Sequence, residues 1–346
     1  MSEPESPSPS PRRRRGAGAI TLGDVARLAG VSPITASRAL NTPEQVARET
    51  LERVRDAVSR TGYVPNRMAG GLASSRSRLV AAVVPTIAGP VFMEMVQSLT
   101  HELDVAGYQL MLGQSGYTAS REDALLDAII GRRPDGIVLT GIMHSADGRK
   151  RLLASGIPVV ETWDLTPTPI DMLVGFSHTD AAAAVVRHLH AKGRQRLALL
   201  SGDDERAERR NRGFIAEAKA LGLTAEIPVL RVPAPTTLRS GRDGLTKLLA
   251  EAPDVDGIFC SSDLLALGVL TEAAARGLAV PGRLSVVGFG DLAFAGDTHP
   301  ALSTVRIDGT GIGRQAARFI VDRAAGRAVD DKVIDLGFQV IERGSS

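Results

Sequence analysis

One cysteine occurs among the 346 residues. Cys260 therefore cannot close an intrachain disulfide, as expected in a reducing cytoplasm. Inside the apolar run Gly257–Ser261 it reads as a packed core residue rather than a nucleophile. Long hydrophobic runs are missing too; none approaches the roughly 20 residues that cross a bilayer. The stretch Met1–Gly18 is rich in serine and proline, then in arginine, and lacks the apolar centre of a secretory signal. No Walker A pattern occurs, and Gly288-Phe-Gly290 lacks the rest of a dinucleotide fingerprint. His188 and His190, two apart near a helix end, face different directions and make a poor metal pair. No convincing catalytic set is present. These absences argue against a membrane protein, an exported scaffold, an enzyme, and a resident cofactor or metal.

Lysine is absent from the first 78 residues, which hold 13 arginines against 7 acidic side chains. That segment carries a formal charge of +6, and the remainder carries −4. A basic head on an acidic body is the electrostatic footprint of a nucleic-acid-binding module. Arg12–Arg15 either touches phosphate or is a solvated tail, and the composition predicts a disordered basic tail over 1–19.

Two short capped helices follow, around a glycine turn. Thr21 with Asp24 is a capping-box-like start, and Val25, Leu28 and Ala29 give one apolar face. Gly30 suits the left-handed position that ends a helix. Ser32 is a good N-cap and Pro33 fits the first turn. Ala36 and Leu40 face inward, while Pro33, Ile34, Ser37 and Arg38 face out. A third helix over Ala47–Thr61 closes a headpiece through Leu51, Val54, Ala57 and Val58. The pair is either an ordinary core hairpin or a helix-turn-helix whose second helix enters a DNA major groove. Its place beside the arginine run, ahead of a domain of different character, favours DNA. Asn66–Ser75 then forms a marginal segment, because Gly70 and Gly71 each disfavour helix by about 1 kcal/mol relative to alanine. Ser74–Ser77 reads as linker.

From Leu79 the pattern changes to short apolar runs alternating with amphipathic helices. Strands are expected at Leu79–Val84, Gln109–Leu112, Gly136–Thr140 and Val159–Glu161. They restart at Met172–Phe176, Leu197–Ser201, Pro228–Val232, Gly257–Ser261 and Leu284–Phe289. This predicts two consecutive doubly wound parallel halves with a cleft where strand carboxyl ends converge.

Val25–Ser32, Thr35–Arg38 and Asn41 closely resemble the head of LacI/GalR-type bacterial repressors. The likeness continues at Gly62–Arg67, Ala69 and Leu72, and resumes at Asp256–Asp263, Leu284–Phe289 and Pro300–Val305. Asn41–Val46, Val91–Glu94, Pro158–Glu161, Val174–Phe176 and Asp335–Phe338 resemble the gluconate-operon repressor branch. The resemblance implies an all-α helix-turn-helix headpiece plus an α/β two-lobed core like that of periplasmic binding proteins. It divides the chain into the tail, a DNA-binding domain over 20–63, a hinge helix and linker over 64–78, and an effector-binding and dimerisation domain over 79–346. It further implies three crossings between the lobes, with a helix from about Gly311 returning to the first lobe and the last strand to the second.

On DNA, the resemblance points to Pro33, Ile34, Thr35, Ser37, Arg38 and Asn41 in the headpiece. Ile34 and Arg38 would reach base edges, and Thr35 and Ser37 phosphates. Asn66, Arg67, Ala69 and Leu72 would act in the hinge, with Leu72 as a minor-groove wedge. For the effector it points to Arg210, Asp263 and Asp291. Arg206, Arg209, Arg210 and Arg212 follow one strand, and a guanidinium can grip a carboxylate bidentately. Asp263 binds sugar hydroxyls or caps a helix; Ser262 stands beside it where the family usually has Asn. Phe92 walls the cleft or packs in the core, and Glu161 accepts hydroxyls or sits at a surface strand end. Trp163, the only tryptophan, covers a sugar face or an interface.

Two functions fit such a body. One is a repressor whose dimeric heads read a pseudo-palindromic operator under control of gluconate or a phosphorylated relative. The other is a solute receptor for sugar uptake, which requires export and has no use for a helix-turn-helix. The last 15 residues carry no leucine heptad, which points to a dimer.

Overall fold

The computed structural model describes residues 20–64, 77–117, 119–142, 144–223 and 226–346. The chain separates into two compact units, Met1–Ser77 and Arg78–Ser346. The arginine tail and the hinge positions Asn66, Arg67, Ala69 and Leu72 lie outside the described residues.

Among the described residues of the first unit, three α-helices pack together: α1 (Leu22–Ala29), α2 (Pro33–Asn41) and α3 (Arg48–Thr61). Thr21 and Asp24 exchange backbone and side-chain hydrogen bonds at 3.0 and 3.3 Å, a complete capping box. Gly30 ends α1 at φ 65°, and Ser32 caps α2 by accepting from the Thr35 N–H at 3.1 Å. The core is Val25, Ala26, Ala29, Ala36, Ala39, Val54 and Ala57. Leu28 was expected on the inner face but is 44% exposed. The stripe that meets the core runs through Leu22, Val25, Ala26 and Ala29. At 100° per residue Leu28 falls outside it. On α2, Ala39 joins Ala36 as the inward residue, and Leu40 is only half-buried.

The second unit contains two six-stranded sheets. The first holds β1 (Leu79–Val84), β2 (Gln109–Gln114), β3 (Gly136–Thr140), β4 (Val159–Thr162), β5 (Met172–Gly175) and β11 (Val333–Asp335), in the order β11-β5-β4-β3-β1-β2. The second holds β6 (Leu197–Gly202), β7 (Val229–Val232), β8 (Gly257–Cys260), β9 (Ser285–Phe289), β10 (Ser303–Arg306) and β12 (Gln339–Ile341), in the order β12-β10-β9-β8-β6-β7. All pairs are parallel except β10 with β12. Helices α4 (Met93–Val105), α5 (Ala119–Ile130), α6 (Ala146–Ser155) and α11 (Gly309–Ala324) serve the first sheet. Helices α7 (His178–Ala191), α8 (Glu205–Ala220), α9 (Leu238–Glu251) and α10 (Asp263–Ala275) serve the second. The chain crosses three times: after β5, after β10, and between β11 and β12. Helix α11 returns to the first lobe, where Ser98 of α4 donates to the Thr310 carbonyl at 2.9 Å. β1, β3, β4 and β5 are buried almost throughout, as strands covered on both faces must be. Cys260 is fully buried among Leu200, Ile258 and Val286, and burial raises its thiol.

Candidate recognition helix and ligand cavity

On α2, Pro33, Ile34, Arg38 and Asn41 are exposed. Ile34 is 67% exposed, a large apolar side chain left in water. Thr35 and Ser37 are half-buried and already engaged locally. The Thr35 hydroxyl lies 2.9 Å from Ser32 Oγ, and Asn41 Nδ2 donates to Ser37 Oγ at 3.2 Å. The helix thus offers an apolar side chain, a guanidinium and an amide on one outward face, the mix that reads base edges in a major groove.

In the second unit, the loops after the strands' carboxyl ends enclose a cavity of about 90 Å³ between the lobes. Phe92, Tyr117 and Trp163 come to it from the first lobe, and His178, Arg206, Arg210, Ser262 and Phe289 from the second. Helix α8 aims two guanidiniums at it because Arg206 and Arg210, four apart, share one helix face. Arg210 is 5% exposed; its Nη1 meets His178 Nδ1 at 3.0 Å and its Nη2 donates to the Ser261 carbonyl at 3.3 Å. Burial lowers Arg210 to about 10, so it stays charged at neutral pH. Arg206 Nη1 donates across the lobes to the Thr140 carbonyl at 3.3 Å, and its guanidinium lies 5.3 Å from the Phe92 ring centre. Arg209 turns instead to the buried Asp164 at 3.5 Å, whose carboxyl burial raises. Arg212 is exposed.

Phe92, Arg210 and Ser262 therefore reach the cavity. Ser262 also caps α10, accepting from the Leu265 N–H at 3.3 Å, and shares a 2.8 Å hydrogen bond with Thr236. Three expected residues lie outside the lining. Asp263 is fully buried and neither caps α10 nor faces the ligand space; it accepts from Thr304 Oγ1 at 2.6 Å and from the Leu292 N–H at 2.7 Å. Burial raises it to about 6. Asp291, at φ 50°, is held between Arg306 at 2.5 Å and Arg343 at 2.7 Å, in a separate open groove beside the lobe crossings. Glu161 is fully buried, accepts from the Ile170 N–H at 2.6 Å, and has His144 Nε2 at 3.4 Å. A strand-end carboxylate looks alike in sequence whether it faces a cleft or a neighbouring loop.

Trp163 sits at φ 68°, donates its indole N–H to Met95 Sδ at 3.0 Å, and packs edge-on to Phe92 with ring centres 5.0 Å apart. His178, Tyr117 and Asp204 were not singled out in the sequence. His178 follows a Ser177 cap and reads locally as a helix start. Among the described residues no group of His, Cys, Asp or Glu is placed to hold a metal, and no helix is long and apolar enough to cross a membrane.

Comparison with known proteins agrees with both parts. The lacI-family bacterial regulatory-protein domain matches residues 21–66, and a periplasmic binding protein-like domain matches residues 186–346. The HTH-type transcriptional regulator GntR of Pseudomonas aeruginosa is 38% identical over 95% of this chain and 96% of its own length. The regulator of the same name from Escherichia coli is 31% identical over 94% of this chain and 98% of its own. The crystal structure of the transcription regulator GntR from Chromobacterium violaceum superposes with a TM-score of 0.74 at 37% identity, covering 78% of this chain and 99% of that one.

Proposed function

The chain belongs to the LacI family of bacterial DNA-binding transcriptional regulators, and we propose that it is a repressor whose interlobe cavity takes a hydroxylated monocarboxylate of the gluconate class. One observation carries the ligand reading. Arg206 and Arg210 are buried on the cavity wall, and the hydrogen bonds they make are to neutral acceptors. Asp204 and Asp164 offset only part of that buried positive charge, and an anionic ligand supplies the rest. Arg210 is the clamp, since a guanidinium binds a carboxylate through two parallel hydrogen bonds. With His178 neutral, the described lining carries Arg206, Arg210 and Asp204, a net charge of +1. That balances one carboxylate better than a phosphorylated acid. Thr86, Thr236, Ser262 and Tyr117 bring hydroxyls to the same space, suited to a polyol.

Pro33, Ile34, Thr35, Ser37, Arg38 and Asn41 form the operator-reading surface, with Asn66, Arg67, Ala69 and Leu72 as the hinge contribution. A homodimer in the cytoplasm reads a pseudo-palindrome. Ligand draws the lobes together and shifts the start of the core at Leu79. The hinge segments, whose Gly70-Gly71 pair disfavours helix, then part and release DNA. Calorimetry with gluconate, 6-phosphogluconate and glucose, beside operator release, tests this. Gluconate is expected to bind most tightly and to release operator. If neither acid binds, the ligand reading fails and the regulator stands. If gluconate tightens operator binding, the protein works through a co-repressor.

A further inference from the structure

The arrangement that holds Arg210 deepens this reading and rests on it. Arg210 Nη1 lies 3.0 Å from His178 Nδ1. A guanidinium can only donate. Nδ1 must therefore be the acceptor, so the ring's one proton is on Nε2 and the imidazole is neutral. His178 is 3% exposed at the first position of α7, edge-on to Phe176 at 4.6 Å and 6.0 Å from Phe289. The charges that act on it are Arg210, Arg206 and Arg209, all from α8, and its Nε2 is buried without a hydrogen-bond partner among the described residues. β12, which also packs on α7, carries no charged residue: it reads Gln339, Val340, Ile341. Asp204 and Asp164 act on Arg210 itself. Burial and the arginines hold the His178 imidazole well below its usual 6.5.

We propose that His178 is a positioning residue of the anion clamp: as an obligately neutral acceptor, it fixes the Arg210 guanidinium against the Ser261 carbonyl and over Phe289, in the pose that lines the cavity. The ring need not touch the ligand. Its contribution is that Arg210 does not have to be ordered when the carboxylate arrives. An uncharged side chain with an acceptor near Nδ1 replaces it; an apolar one does not.

The test uses the full-length protein with His178→Asn and His178→Leu. Gluconate affinity by calorimetry is expected to stay within about threefold for the Asn variant and to fall about tenfold or more for the Leu variant. Operator affinity, unchanged in both, shows that they fold. A Leu variant that binds gluconate like wild type overturns the proposal. A ligand-free measurement keeps it separable from the choice of ligand. Imidazole nitrogen NMR, with His178 identified by its loss in the Asn variant, is expected to show an Nε2-protonated ring that stays neutral at pH 5.5. In Arg210→Met the same ring is expected to titrate closer to its usual 6.5. An Nδ1-protonated ring in wild type, or no change in Arg210→Met, overturns the proposal even if gluconate binds. If gluconate fails to bind wild type while the ring behaves as expected, only the ligand reading falls.

Discussion

Arg210, inside α8, and Asp263, at the start of α10, are both buried ionisable groups, yet their partners give them different work. Asp263 is saturated by Thr304 and Leu292, and it fastens α10 to β10. Arg210 has two neutral acceptors and faces the cavity. Arg210→Ala is expected to leave operator affinity within about twofold and to cost about 2–3 kcal/mol of ligand binding, as for a charge-assisted hydrogen bond. In a reporter assay it behaves as a repressor that ligand cannot release. Equal ligand affinity in the variant would move the clamp elsewhere. Arg38, exposed on α2, is suited to guanine O6 and N7. Arg38→Ala is expected to lose about 1–3 kcal/mol on operator but little on random DNA. An equal loss on both assigns Arg38 to the backbone. His144 supplies a pH test. Burial pulls its imidazole down, but the hydrogen bond to Glu122 at 2.5 Å and the Glu161 carboxylate 3.4 Å away outweigh that and lift it to about 9. A base whose folded value is raised stabilises fully below its unfolded value near 6.5, and loses that contribution as pH rises through about 9. The melting-temperature gap between wild type and His144→Gln should therefore be widest below pH 6.5 and close by pH 10. A gap that widens with pH contradicts the pairing.

At the scale of elements, two helix contacts depend on the absence of a side chain. A Cβ on Gly268 of α10 would overlap the Leu238 carbonyl of α9, and one on Gly241 would overlap the Leu265 carbonyl. Gly268→Ala is expected to destabilise the core by about 1–3 kcal/mol, as overpacking does. Differential scanning calorimetry reads this as a drop of about 2–4 °C per kcal/mol. A variant as stable as wild type shows that the helices can separate without cost. Helix α8 has the opposite character: its long cationic side chains reach over the cleft to Thr140 and Asp164. One helix therefore supplies both the proposed anion clamp and polar ties between the lobes.

For the whole molecule, the cavity's single tryptophan gives an optical handle. Trp163 lines the cavity within 5.0 Å of Phe92, so its emission is expected to change as ligand fills the space. Titrating gluconate with and without operator DNA then measures the coupling. By linkage, operator must weaken gluconate by the same factor as gluconate weakens operator. Unequal factors in the two directions mean that a second ligand or an assembly step takes part. With the charge divided as +6 over residues 1–78 against −4 elsewhere, DNA affinity is expected to fall steeply with salt.

What the sequence alone determined was local or periodic. The Thr21–Asp24 box, the Gly30 turn and the Ser32 cap are set by neighbours three or four residues away, and all appear as read. Alternating apolar runs and helices foretold two mainly parallel sheets, because a buried parallel strand needs an apolar run and a covering helix. Arg210 was legible through the family likeness and through the run of arginines that follows one strand. Tertiary structure decided which strand-end side chains meet. Asp263, Asp291 and Glu161 sit where a sequence places pocket residues, yet each is bound by a group distant in the chain: Thr304, Arg343 and His144. His178 meets Arg210, 32 residues further along, only because α7 packs on α8. Such pairings depend on how helices settle on the sheets, and periodicity fixes a helix face but not the residue opposite it.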